Sequence, residues 1–186
     1  MNYFRQYGTS PIERYYVAGN IAGNLSTLSY ANDFIIAAPL VMPKRSHIDR
    51  VGIRVLGGAA GTARIGIYNA TSGTNMTPWA LLYDSGNIDT SSNGFKIATV
   101  DWVLEQDTLY WAALLMSDNG VTIRSVPVAS AYPILGYDNT LDASVSPGTG
   151  WSATFLYAAL PPTFPPSPGI YAGTGGLPAI GYRLAL

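Results

Sequence analysis

Hydrophobic and polar residues alternate one for one through much of this chain. Within residues 48–57, Val51, Ile53 and Val55 are interleaved with Arg50, Gly52 and Arg54; within residues 62–69, Ala63, Ile65 and Ile67 are interleaved with Arg64, Gly66 and Tyr68. A period of two sends successive side chains to opposite faces of a strand, so each run predicts a strand with one dry and one wet face. The Gly/Ala-rich connection between them predicts an antiparallel hairpin. Residues 34–43 (FIIAAPLVMP) are apolar on both faces, as a buried or interface strand is, and Pro39 predicts an edge or a bulge there.

Further strands are predicted at residues 79–86, 95–107, 108–117, 121–128, 151–160 and 177–186, with turn-rich stretches between them. Asn119-Gly120 lies between two of these, and that pair predicts another hairpin. The proline-rich segment 161–169 must be extended and cannot sit inside a sheet. The apolar last strand is expected to be tucked into the sheet. No window carries a 3.6-residue amphipathic period. The fold class is therefore all-β: an antiparallel β-sandwich of jelly-roll type over residues 31–186, preceded by an extended N-terminal arm over residues 1–30.

The arm lacks sustained periodicity, yet Tyr3, Phe4, Tyr7, Ile12, Tyr15, Tyr16 and Val17 are costly to leave in water. It is expected to lie along something, either its own domain or a neighbouring subunit. Composition widens that expectation. Charged residues make up 11% of the chain, against about 25% in ordinary domains. A chain with Tyr 13, Trp 4 and only the lysines Lys44 and Lys96 predicts broad uncharged, aromatic surface of the kind that meets another subunit. A net charge of -1 supplies no field to attract nucleic acid or an acidic membrane surface. No apolar run has the length of a membrane span and no signal peptide is read at the start, so the protein is expected to be made in the cytoplasm.

Candidate chemistry is sparse. His47 is the sole histidine and the chain has no cysteine, so a triad or zinc site would have to be built from carboxylates alone. Asp84 with Asp89, and Glu105 with Asp107, fall in turns where carboxylates cap backbone amides. The Asp84/Asp89 loop holds oxygen donors for calcium but not the EF-hand spacing. The GGAAG and GTGG stretches lack the helix and lysine of a phosphate cradle. No catalytic residue, metal or cofactor is expected. Of the tryptophans, Trp102 and Trp111 lie within strands and are expected in the core. Trp79 and Trp151 border loops and are the candidates for stacking on a sugar. Arg50, Arg54 and Arg64, with Lys44 and Arg45, are expected to group about the wet face of the central hairpin, as a solvated face or as salt-bridge donors to a partner.

The order of pieces, PLVMP, IDRVGIRV, a Gly/Ala loop, ARIGIYN, SGNID, LEQDTLYWAALLMS and a final PAIGYRL, resembles a β-sandwich domain of tailed-phage virion surface proteins over roughly residues 34–186. That resemblance implies a non-enzymatic component of the virion surface. The chain has neither the coiled-coil heptads nor the repetitive shaft of a fibre. A sandwich behind an aromatic arm suits a capsid decoration (cement) protein bound to the lattice of the major capsid protein, with Tyr3, Phe4, Tyr7, Tyr15, Tyr16, Arg50, Arg54 and Arg64 as partner-binding residues. The resemblance further implies a homo-oligomer, usually a trimer. The alternative is a tail-fibre or baseplate module that binds a receptor or carbohydrate through Trp79 and Trp151.

Overall fold

The computed structural model describes residues 14–19, 23–58, 60–71, 76–132, 134–136, 148–171 and 176–185. The strands in chain order are β1 (Tyr16–Val17), β2 (Ser26–Ser29), β3 (Phe34–Val41), β4 (Ser46–Gly57), β5 (Thr62–Ala70), β6 (Pro78–Asp84), β7 (Ile88–Asp89), β8 (Gly94–Leu104), β9 (Leu109–Met116), β10 (Thr122–Val126), β11 (Gly150–Thr154), β12 (Gly169–Tyr171), β13 (Leu177–Pro178) and β14 (Gly181–Leu184). There is no α-helix among the described residues. All pairings are antiparallel, and the strands form two seven-stranded sheets packed as a β-sandwich.

Sheet 1 is built around β4. Its one side pairs with β8, and its other side with β14 along Ile48–Gly52 and with β10 at Val55 and Gly57. Beyond these lie β1 against β14, and β2 and β13 against β10. Sheet 2 runs β12, β11, β3, β9, β5, β6, with β7 beside the start of β5.

Six of the nine connections from β1 to β10 carry the chain across the sandwich. Both expected hairpins are therefore corrected: β4 and β5 belong to opposite sheets, as do β9 and β10. The dry side chains of β4 (Val51, Ile53, Val55) and of β5 (Ala63, Ile65, Ile67) are all buried in the core between the sheets. In a hairpin the two strands would share one dry face. As an arch, each sheet gains a dry face that the other covers, and more apolar area leaves water.

Sheet 2 is buried on both sides, which explains why residues 34–41 and 109–116 are apolar without alternation. Its inner face contributes Ile36, Ala38, Leu40, Leu114 and Met116 to the shared core. Its outer face carries Ile35, Tyr68, Trp111, Leu115 and Trp151, covered by Leu160 and Phe164 from the proline-rich coil. That coil forms a third layer. Leu81 N–H donates to Pro162 O at 2.9 Å and Phe164 N–H to Trp79 O at 2.8 Å, so the coil lies along β6. Tyr68 adds a hydroxyl bond to Pro161 O at 3.0 Å and an edge-to-face contact with Phe164. Pro39 sits opposite Trp111, past Ala37, where β11 no longer pairs with β3. It therefore occupies an edge, as its missing N–H requires.

Of the arm, residues 1–13, with Tyr3, Phe4 and Tyr7, lie outside the described residues. Its described remainder packs on its own domain: β1 and β2 are edge strands of sheet 1, and Ala18 and Tyr30 are buried in the core. The Tyr30 hydroxyl donates to backbone carbonyls, at 2.5 Å to Leu114 O and 2.9 Å to Phe34 O.

Candidate interaction surface

The outer face of sheet 1 is the broad strand surface that no layer of this chain covers among the described residues. On β8 it carries Phe95, Ile97 and Thr99; on β4, Arg50, Gly52 and Arg54; on β14, Gly181 and Arg183. The pattern of β8 invites the reverse assignment, because Phe95 and Ile97 are more apolar than Lys96 and Ala98. Their register decides otherwise. Lys96 and Ala98 stand opposite Ile53 and Val51, which point into the core, so Phe95 and Ile97 point out, 36% and 45% exposed. Sequence reasoning missed both residues; the alternation that marks them was visible, its direction was not.

Gly52 and Gly181 lie opposite each other and make a floor without side chains. Across it Tyr15 meets Phe95 edge to face, with ring centroids 4.6 Å apart, and a Cβ on Gly181 would stand 3.6 Å from both rings. Tyr16 stacks instead on Tyr182 at 5.7 Å, at the rim of the core. The two arm tyrosines described thus serve sheet 1 of their own chain.

Arg50 and Arg54 share this face, but Arg64 does not. It lies on the outer side of sheet 2, where its Nη1 meets Asp84 Oδ2 at 2.6 Å. The expected grouping of the three arginines is corrected by the same arch that separates β4 from β5. Arg50 donates to the backbone oxygen of Asp49 at 3.1 Å, while Arg54 is exposed and forms no ion pair among the described residues. Lys44 and Arg45 sit at the exposed turn before β4, with Arg45 Nε on Glu105 at 3.0 Å.

No protein-family model matches this chain, and no curated protein matches it. Its chemistry is read from its own geometry.

Each carboxylate raised as a candidate has a local partner. Asp84 also accepts the amides of Gly86 at 2.8 Å and Leu160 at 3.4 Å, which ties the coil layer to β6. Asp89 accepts the Ser91 amide and hydroxyl at 3.0 and 2.9 Å, bonds that hold its carboxyl below the usual range. Asp107 turns the chain with a φ of 54°, and its amide donates to Met42 O at 2.8 Å. His47, exposed on β4, bonds through Nε2 to Asp101 across the strand pair. No group of three or more His, Asp or Glu side chains among the described residues could hold a metal ion.

The tryptophans divide unevenly. Trp102 and Trp111 are buried, as their strand positions predict. Trp79 is 54% exposed, but Trp151 is 8% exposed, which corrects the expectation that it borders solvent. Trp151 pairs opposite Ala37, itself opposite Ala113, and these small residues leave room on the outer face of sheet 2 for the indole under the coil.

Proposed function

We propose that this protein is a non-enzymatic structural component of a tailed-phage virion, a decoration (cement) protein that attaches as a homo-oligomer to the major capsid protein lattice. The observation that carries the reading is the open outer face of sheet 1, where Phe95 and Ile97 are exposed beside Arg54. Apolar side chains rimmed by a guanidinium that forms no ion pair among the described residues fit a protein surface that offers apolar contacts and carboxylates. The crossings between sheets at residues 42–45, 58–61, 90–93, 105–108 and 117–121 support a jelly-roll winding. Residues 1–13, with Tyr3, Phe4 and Tyr7, supply further aromatic contact area as an attachment arm. Many weak attachments on one shell reinforce each other through effective concentration. Immunogold electron microscopy of virions carrying the tagged protein tests this: label is expected on the head, and label confined to the tail refutes it.

Trp79 favours a second reading, a carbohydrate-binding module of a tail fibre or baseplate. Its exposed ring on β6, with Leu82 also exposed, offers an apolar plane for a sugar face. Trp151, being buried, cannot share that role. A glycan array that gives no signal with the wild type removes this reading.

A further inference from the structure

A sheet ends in backbone N–H and C=O groups without partners, and folded proteins blunt such edges. Three of the four edges here are blunted. One edge of sheet 1 consists of β1 and β2, of two and four residues. One edge of sheet 2 is β12, of three residues. The other, β6, is covered by the coil at Pro162 and Phe164, and Pro161, Pro162, Pro165 and Pro166 have no N–H to offer a further strand. The fourth edge is different. β8 is eleven residues long and, among the described residues, pairs with β4 along one side only.

Part of that open side is closed by a side chain. The Tyr83 hydroxyl donates to Val103 O at 3.1 Å and accepts from Val103 N–H at 3.3 Å, while its ring stacks on Trp102. From Phe95 to Thr99, no strand of this chain pairs with it among the described residues. The Lys96 carbonyl turns towards β4, close against Gly52. Alternation then leaves the N–H and C=O of Phe95, Ile97 and Thr99 on the open side.

We propose that this edge pairs, antiparallel, with the same edge of a second copy about a two-fold axis at Ile97, joining the two copies of sheet 1 into one continuous sheet. Unpaired main chain calls for a strand, and an isologous contact needs only a self-complementary one. β8 is self-complementary in this register. Ile97 faces Ile97 of the second copy, Phe95 faces Thr99, and Lys96 faces Ala98, so no like charges stand opposite each other. Arg54, opposite Phe95 on β4, and Asp101 of the second copy come to the same end of the shared outer face, which brings unlike charges together at both ends. The contact is two-fold, so a three-fold ring would have to use another surface. It is independent of what the assembled protein attaches to.

The chain has no cysteine, so Ile97→Cys can be cross-linked only between copies. In sedimentation equilibrium the full chain is expected to dimerise, and Ile97→Lys, which sets two cations face to face, is expected to weaken the association by about tenfold or more. A short bis-maleimide is expected to join Ile97→Cys into dimers and to leave Leu82→Cys, exposed on β6, as monomers. A wild type that stays monomeric at every concentration, an association constant unchanged in Ile97→Lys, or equal cross-linking at both cysteines would overturn the proposal.

Discussion

Asp49 receives both the Nε and the Nη2 of Arg183, at 2.8 and 2.6 Å, and so joins the bulge of β4 to the last strand of the chain. Arg183 is opposite Arg50 and Leu184 opposite Ile48, which leaves Asp49 as the extra residue. A bulge turns its extra side chain out of the regular alternation, here onto a guanidinium two strand ends must share. The bond from Arg183 holds the Asp49 carboxyl below its usual range, against a smaller opposing effect of burial. A depressed folded-state value stabilises the protein above the ordinary carboxylate range and ceases to do so as pH falls through the folded value. Asp49→Asn is expected to cost about 1 kcal/mol near neutral pH, because the pair is bidentate but partly exposed. Urea denaturation should show that difference shrinking in acid; a constant difference would mean that Asp49 acts through shape and not charge.

Alkali should act through the buried phenols. Burial pushes Tyr182 up from 10.0 to about 12, with Tyr16 adding to it, and burial likewise raises Tyr30 and Tyr68. A phenol that ionises more readily unfolded stabilises the fold fully below its unfolded value. That contribution is lost as pH climbs, for Tyr182 between 10.0 and about 12. Tyrosinate absorbance should therefore rise in two stages, exposed rings first and buried ones together with unfolding. A single smooth titration with the fold intact would contradict this.

Gly66 makes room for the third layer. A Cβ there would run into Leu160 Cδ1 and would stand 3.0 Å from Tyr83 O and 3.1 Å from Leu81 Cδ1. Leu160 can swing aside but the Tyr83 carbonyl cannot, so Gly66→Ala is expected to destabilise by about 1–3 kcal/mol. The coil should lift before the sandwich melts, and limited proteolysis should cut within residues 155–168 earlier in the variant. Equal cleavage rates would show that Leu160 is not what seats the coil.

Truncations at two points separate attachment from folding. Removing residues 1–13 leaves β1, Ala18, β2 and Tyr30 in place and is expected to shift Tm little while abolishing binding to the particle. Removing residues 1–30 strips two edge strands and the buried Tyr30, whose loss alone costs about 3–5 kcal/mol by analogy with other large core aromatics. Thermal melts and particle co-sedimentation of both forms check this. Full binding by the shorter truncation would rule out the arm as the attachment element.

The pattern of apolar and polar residues was enough to establish the long strands β3 to β6 and β8 to β10, the absence of α-helix among the described residues, the apolar character of both faces of residues 34–41 and the extended proline-rich coil, though not the short strands β1, β2, β7 and β12. Each rests on side-chain period or on the missing proline N–H, which are local properties. Which strands pair was not local. Residues 58–61 and 118–120 reverse the chain, as their glycines predict, but a reversal serves a hairpin and an arch equally well. The choice between them follows from where apolar faces far apart in sequence find each other. The same long-range packing placed Arg64 on the opposite side of the molecule from Arg50 and Arg54, sank Trp151 beside Ala37, and turned Phe95 and Ile97 outward. Period fixed that the two faces of each strand differ; only the packing of one sheet on the other decided which face is inside.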